Sequence, residues 1–60
     1  MTDAICEYVM ADAYKIERQS DGRLRYFRVV PELGGRVVRV ITLGDGETVH
    51  NAFLDRRAKP

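Results

Sequence analysis

Sixty residues sit near the lower limit for a chain that folds alone, and one this short buries only about 60% of the surface its unfolded form exposes. A lone cysteine, Cys6, excludes an intrachain disulfide, and with a single histidine, His50, it cannot supply the four ligands of a structural zinc site. A net charge of +1 is too small an excess to mark a nucleic-acid binder, and no apolar run approaches the roughly 18 residues of a membrane span.

No cofactor or metal is therefore expected, and self-association is the remaining way to stabilise so small a fold. The unpaired cysteine suits a reducing compartment. The start "MTDAICEYVMADAYK" lacks the basic and then apolar pattern of a secretory signal. The expectation is a single soluble, cytoplasmic domain over residues 1–60.

In chain order, Asp3 to Ala13 has helical spacing, with Ile5, Val9 and Ala13 at i, i+4 and i+8 and Cys6 and Met10 beside them. Thr2 or Asp3 can cap its start. Tyr14–Gln19 changes to alternation, and "SDGR" places Asp-Gly before the next strand-like run, a strong hairpin signal. Arg23–Val30, "RLRYFRVV", is rich in aromatic and β-branched residues. "PELGG" interrupts it, Arg36–Leu43 is the strongest strand, "GDGE" turns the chain, and "TVHNAFLDRR" is the last strand. Short turns favour antiparallel neighbours, since parallel ones need a dozen or more connecting residues. The expected fold is α+β: one N-terminal helix packed on a four-stranded antiparallel β-meander.

Folding symmetrically about the turns pairs Val30 with Arg36, Tyr26 with Val40, Ile41 with His50 and Ser20 with Arg23. One face then collects Tyr14, Ile16, Phe27, Val29, Val37, Ile41, Leu43, Ala52 and Leu54, and is expected to take the helix. The other carries Leu24, Tyr26, Val30, Val38, Val40, Val49 and Phe53, with Glu17, Arg28, Asn51 and Asp55 among them. A short helix covers one side of a sheet only, and the free side of an antiparallel sheet is usually polar. An apolar patch of Tyr26, Val38, Val40 and Phe53 on the free side predicts an interface, and with it a homodimer or a docked partner.

The stretch "DGRLRYFRVVPELGGRVVRVITLGDGETVHNAFLDRR" resembles a small bacterial domain family of uncharacterised function that is grouped with the RelE/ParE-like toxins. The likeness covers roughly residues 13–57 and rests on the hairpin "DGRLRYF", the "PELG" turn and the closing "NAF-DRR" pattern. It implies helices followed by a curled antiparallel sheet. In RelE-type members basic and aromatic residues on the sheet contact messenger RNA and promote attack by its 2′-hydroxyl. ParE-type members target DNA gyrase, and both kinds usually pair with an antitoxin. The chain has one short helix where toxins commonly have a helical hairpin, and none of its residues matches a toxin's catalytic position.

Charge is uneven along the chain. Residues 1–14 hold three acids and no base, whereas residues 15–60 hold all ten Lys/Arg against six acids, an excess of +4. Ribonuclease chemistry needs a base at the 2′-hydroxyl, a cation for the phosphate and an acid for the leaving oxygen. His50 could be the base or acid, with Arg25, Arg39 and Arg56 on its face to hold phosphate. The plainer expectation makes His50 an ordinary strand residue, Tyr26 and Phe27 packing groups on opposite layers, and Cys6 part of the helix stripe. The leading expectation is thus a non-enzymatic interaction module acting as a homodimer through Tyr26, Val38, Val40 and Phe53. The alternative is a toxin-type ribonuclease or translation inhibitor using His50, Arg25, Arg39 and Arg56, with an antitoxin as its protein partner and RNA as the less favoured ligand.

Overall fold

The computed structural model describes residues 2–58. Helix α1 spans Asp3–Ala11 and is followed by strands β1 (Lys15–Arg18), β2 (Leu24–Val30), β3 (Arg36–Thr42) and β4 (Val49–Leu54), with a 3-10 turn at Pro31–Leu33. The strands form one antiparallel sheet in the order β1-β2-β3-β4. This is the α+β meander that the turn spacing predicts. No helix among the described residues is long and apolar enough to cross a membrane.

Thr2 caps α1: its Oγ1 accepts the Ile5 N–H at 3.2 Å, meeting one of the donors that a helix start leaves unpaired. The helix stops at Ala11, two residues short of the expected end, because Asp12 leaves helical geometry at φ −150°. Arg28 of β2 closes that end. Its guanidinium donates to the Asp12 carbonyl and to the Tyr8 hydroxyl, both at 3.0 Å, and lies 4.0 Å from the Tyr8 ring centroid. A cation on the last carbonyls also suits the negative end of the helix dipole.

The β2–β3 register agrees with the expected one, Tyr26 opposite Val40 and Val30 opposite Arg36. The other two pairings are displaced by one residue. In the first hairpin, Gln19 donates to the Arg23 carbonyl and Arg18 pairs with Leu24, so Ser20–Gly22 forms a three-residue loop rather than an Asp-Gly two-residue turn. Gly22 makes this possible: its φ of +90° is the left-handed position such loops require. Between β3 and β4, Ile41 pairs with Asn51 and Thr42 with Val49. His50 is left over as the extra residue of a β-bulge.

These shifts, and the side chosen by α1, reverse the expected layering. The core comprises Cys6 and Val9 of α1 with Tyr26, Val30, Val38 and Val40 of the sheet, and Ala52 and Leu54 pack against it. Tyr26, Val38 and Val40, expected as an exposed interface, lie beneath the helix, Val38 and Val40 with no exposure at all. Phe53 is opposite Arg39 rather than Val38, so it leaves their face for the uncovered one. The reason is electrostatic. The face with Phe27, Val29 and Ile41 also carries Arg25 and Arg39 in mid-strand, and taking such charges out of water under a helix costs several kcal/mol each before any pairing repays it. The face α1 takes has Arg28, which reaches the helix end. Each fully buried valine there contributes about 1.5–3 kcal/mol relative to exposure.

Candidate functional site

The uncovered face is built by alternation along four strands. Lys15 and Glu17 lie opposite Phe27 and Arg25, which in turn lie opposite Arg39 and Ile41, and these lie opposite Phe53 and Asn51. Val29 and Val37 complete the row and pair with each other. No helix or strand among the described residues covers these side chains.

Long cationic stems shade the aromatic rings instead. The Lys15 ammonium is 5.5 Å from the Phe27 ring centroid, and the Arg39 guanidinium is 4.4 Å from that of Phe53. Phe27 is only 5% exposed as a result. Such stems bury their methylenes on apolar surface while the charge stays wet. Each cation also has an acid: Glu17 lies 3.4 Å from Lys15 and 3.9 Å from Arg25, and Asp55 lies 3.5 Å from Arg39 Nε. The last contact is an ion pair without hydrogen-bond alignment, since the buried Nε has no hydrogen-bond partner among the described residues.

Asp55 organises the end of the face. Its backbone N–H donates to the Val37 carbonyl at 2.9 Å, and its Oδ1 accepts the N–H groups of Arg57 and Ala58 at 3.0 Å. Burial pushes its carboxyl up, but those two N–H donors and the charges of Arg39 and Arg57 outweigh it and hold the pKa below the ordinary carboxylate value. This turn ends β4 at Leu54, short of the strand expected to run to Arg57.

Of the residues proposed for ribonuclease chemistry, Arg25 and Arg39 do share the uncovered face at diagonal positions, about 7–8 Å apart at the backbone. His50 and Arg56 do not join them in one site. His50 is exposed in the bulge, and its side chain has no hydrogen bond among the described residues. Arg56 lies beyond the far end of β4, against Arg36 and Leu54 in a shallow pocket. Four extended residues alone separate His50 from Leu54 by roughly 13 Å. A proton-transfer group and a phosphate cation must converge within a few ångströms of the reacting atoms, and here they occupy opposite ends of a strand.

Two features were missed from the sequence. Glu17 and Asp55 lie on the free face as expected, but that Lys15, Arg25 and Arg39 join them there was concealed by the displaced registers and the unexpected side of α1. A groove between α1 and the β3–β4 turn, floored by Met10, Tyr26 and Val49, also went unseen. Comparison with known proteins adds no relative: no family model matches the chain, and no curated protein or solved structure matches it significantly.

Proposed function

We propose that the chain is a small non-enzymatic interaction module of the cytoplasm, acting as a homodimer through the uncovered face of its sheet. One observation carries the reading. Val29, Ile41 and Phe53 are half-buried, and Phe27 and Val37 buried, on a face that no helix or strand among the described residues covers, where an isolated antiparallel sheet would be polar. The charges around them are of both signs, Lys15, Arg25 and Arg39 with Glu17 and Asp55. A two-fold interface needs such self-complementarity, because one patch must meet its own copy. A chain of this length also gains from a partner's core.

The second reading is a relative of the RelE/ParE-like toxins that contacts RNA or an antitoxin. It has in its favour that Arg25 and Arg39 share a face with Phe53. It ranks lower because both arginines already have carboxylate partners, and because His50 and Arg56 stand apart.

Light scattering on the wild type and on Ile41→Glu tests the first reading. Ile41 is half-buried on the uncovered face, so the variant should remain folded. The expected result is a mass twice 6.9 kDa for the wild type and 6.9 kDa for the variant. A folded wild-type monomer across the accessible concentrations overturns the dimer, and RNA gel-shift binding by that monomer, lost in Arg25→Gln, would establish the second reading.

A further inference from the structure

We infer that the outer edge of β1 is a second contact between copies of this chain, in which two β1 strands pair antiparallel about a two-fold axis and join two sheets into one. β1 ends the sheet, so one side of its backbone has no neighbouring strand among the described residues. Its helix-side apolar group is open as well: Ile16 is 57% exposed, because contacts from α1 fall chiefly on β2 and β3.

The hydrogen-bond pattern fixes which backbone groups face outward. Gln19 donates to the Arg23 carbonyl at 2.7 Å, and antiparallel bonds recur at every second pair. The bonded pairs within the chain are therefore Glu17–Arg25 and Lys15–Phe27, and Ile16 and Arg18 turn their amides and carbonyls away from β2. An incoming strand has to bond to those two residues.

Charge then selects both partner and register. Outward groups must meet outward groups, so in a pairing of two β1 strands the axis passes through a residue rather than between two. Centred on Lys15, Glu17 or Arg18, it sets a charge against its own copy, which destabilises the pairing. Centred on Ile16, it sets Lys15 opposite Glu17 of the second copy and Glu17 opposite Lys15 of that copy, at unbonded positions where side chains come closest. Lys15 and Glu17 already lie 3.4 Å apart within one chain, so the four charges alternate in sign around the axis. The two Ile16 side chains meet on the other side of the sheet and lose exposed apolar surface. A lysine on an edge strand ordinarily discourages strand addition. The acid two residues further on makes this edge selective for a reversed copy of itself.

The axis stands normal to the sheet, so the contact is separate from the face-to-face dimer proposed above and does not depend on it. A pairing of four residues is short, and it joins copies at millimolar protein, above the concentrations at which light scattering reads the face. The test is NMR of the whole protein at millimolar concentration, with half of the molecules isotopically labelled, so that only contacts between copies are recorded. A contact is expected between the α-protons of Lys15 and Glu17 of different copies, with exchange of the Ile16 amide slowing as concentration rises. Ile16→Pro removes an outward amide, a change an edge strand accepts, and should abolish the contact while circular dichroism stays native. Lys15→Glu should weaken the association about tenfold, and adding Glu17→Lys should restore it. Ile41→Glu should leave the β1 contact in place, so failure of the face dimer and failure of the edge contact are read separately. The inference is overturned if no β1 contact between copies is seen, if Ile16 exchange is independent of concentration, if a folded Ile16→Pro keeps the contact, or if the charge swap does not restore it.

Discussion

Arg28 is the one cation on the helix-covered side of β2, and replacing it tests why α1 packs where it does. Arg28→Met keeps the aliphatic stem and removes the guanidinium. Lost with it are the hydrogen bonds to the Asp12 carbonyl and the Tyr8 hydroxyl, both 3.0 Å, and the stacking on Tyr8 at 4.0 Å. Hydrogen bonds from a charged donor are worth about 1.5–3 kcal/mol, and water competing at this half-exposed end brings each nearer 1 kcal/mol. The stacking adds about 0.5–1 kcal/mol. The ion pair to Asp12 adds little, because that carboxylate is 82% exposed.

Allowing for overlap among these contacts, the expected loss is about 2 kcal/mol. A domain of this length has roughly 3–9 kcal/mol in total, and its Tm should fall by about 8–16 °C. Thermal and urea unfolding followed by circular dichroism would measure it. Asp12→Asn is the control: it keeps the backbone carbonyl and should cost under about 0.5 kcal/mol. A loss under about 0.5 kcal/mol for Arg28→Met, or an equal loss in both variants, would refute the role given to the guanidinium.

Val40→Glu should unfold the protein rather than dissociate a folded dimer, because Val40 is completely enclosed beneath α1; near-native circular dichroism from this variant would contradict the layering. Gly46→Ala should cost about 1–2 kcal/mol for its left-handed φ of +71°, plus a contribution from the Tyr26 oxygen that Tyr26→Phe removes, so a double-mutant cycle in urea should show coupling. Asp45 accepts the N–H groups of Glu47 and Thr48 at 2.9 Å and the Thr48 hydroxyl at 2.6 Å, and the Thr48 side-chain bond leads in lowering its pKa to about 2. A depressed carboxyl stabilises the fold above its unfolded pKa, near 4, and that contribution is lost as pH falls towards about 2. The urea midpoints of wild type and Asp45→Asn should therefore converge over that window; a constant gap would oppose the assignment. His50→Ala should shift stability by less than about 0.5 kcal/mol, measured by the same melts.

The elements were legible because their punctuation was local. Asp-Gly, Pro-Glu-Leu-Gly and Gly-Asp-Gly each mark a chain reversal, and helical spacing changes to alternation at Tyr14. The β2–β3 register followed as well, since its turn is nearly symmetrical about the "PELGG" stretch. What failed was parity. A three-residue loop closed by Gly22 moved β1 by one place, and a bulge at His50 did the same to β4 from Asn51 onward, which exchanges the shifted side chains between faces.

Choosing the covered face failed for another reason. Both faces of Arg36–Leu43 are aliphatic, so hydrophobic content cannot decide between them. The positions of the arginines can, because Arg25 and Arg39 lie on one parity and Arg28 on the other. Weighing where each guanidinium could find a carboxylate or a helix end would have placed Tyr26, Val38 and Val40 inside. Ile16 shows the limit of parity arguments: it pairs with Tyr26 on the helix side yet remains 57% exposed, because contacts from α1 fall chiefly on β2 and β3.

The bulge gives the lone histidine a meaning unrelated to proton transfer. β4 is the last strand of the sheet, and its outer row of amides and carbonyls is an open template for another chain's backbone. An extra residue at His50 breaks the even spacing of that row and tightens its twist, so an incoming strand cannot stay in step along it. Deleting His50 would make the edge regular. The shortened chain should then polymerise through its backbone into strand-paired aggregates, although the side chain of the deleted residue has no hydrogen bond among the described residues.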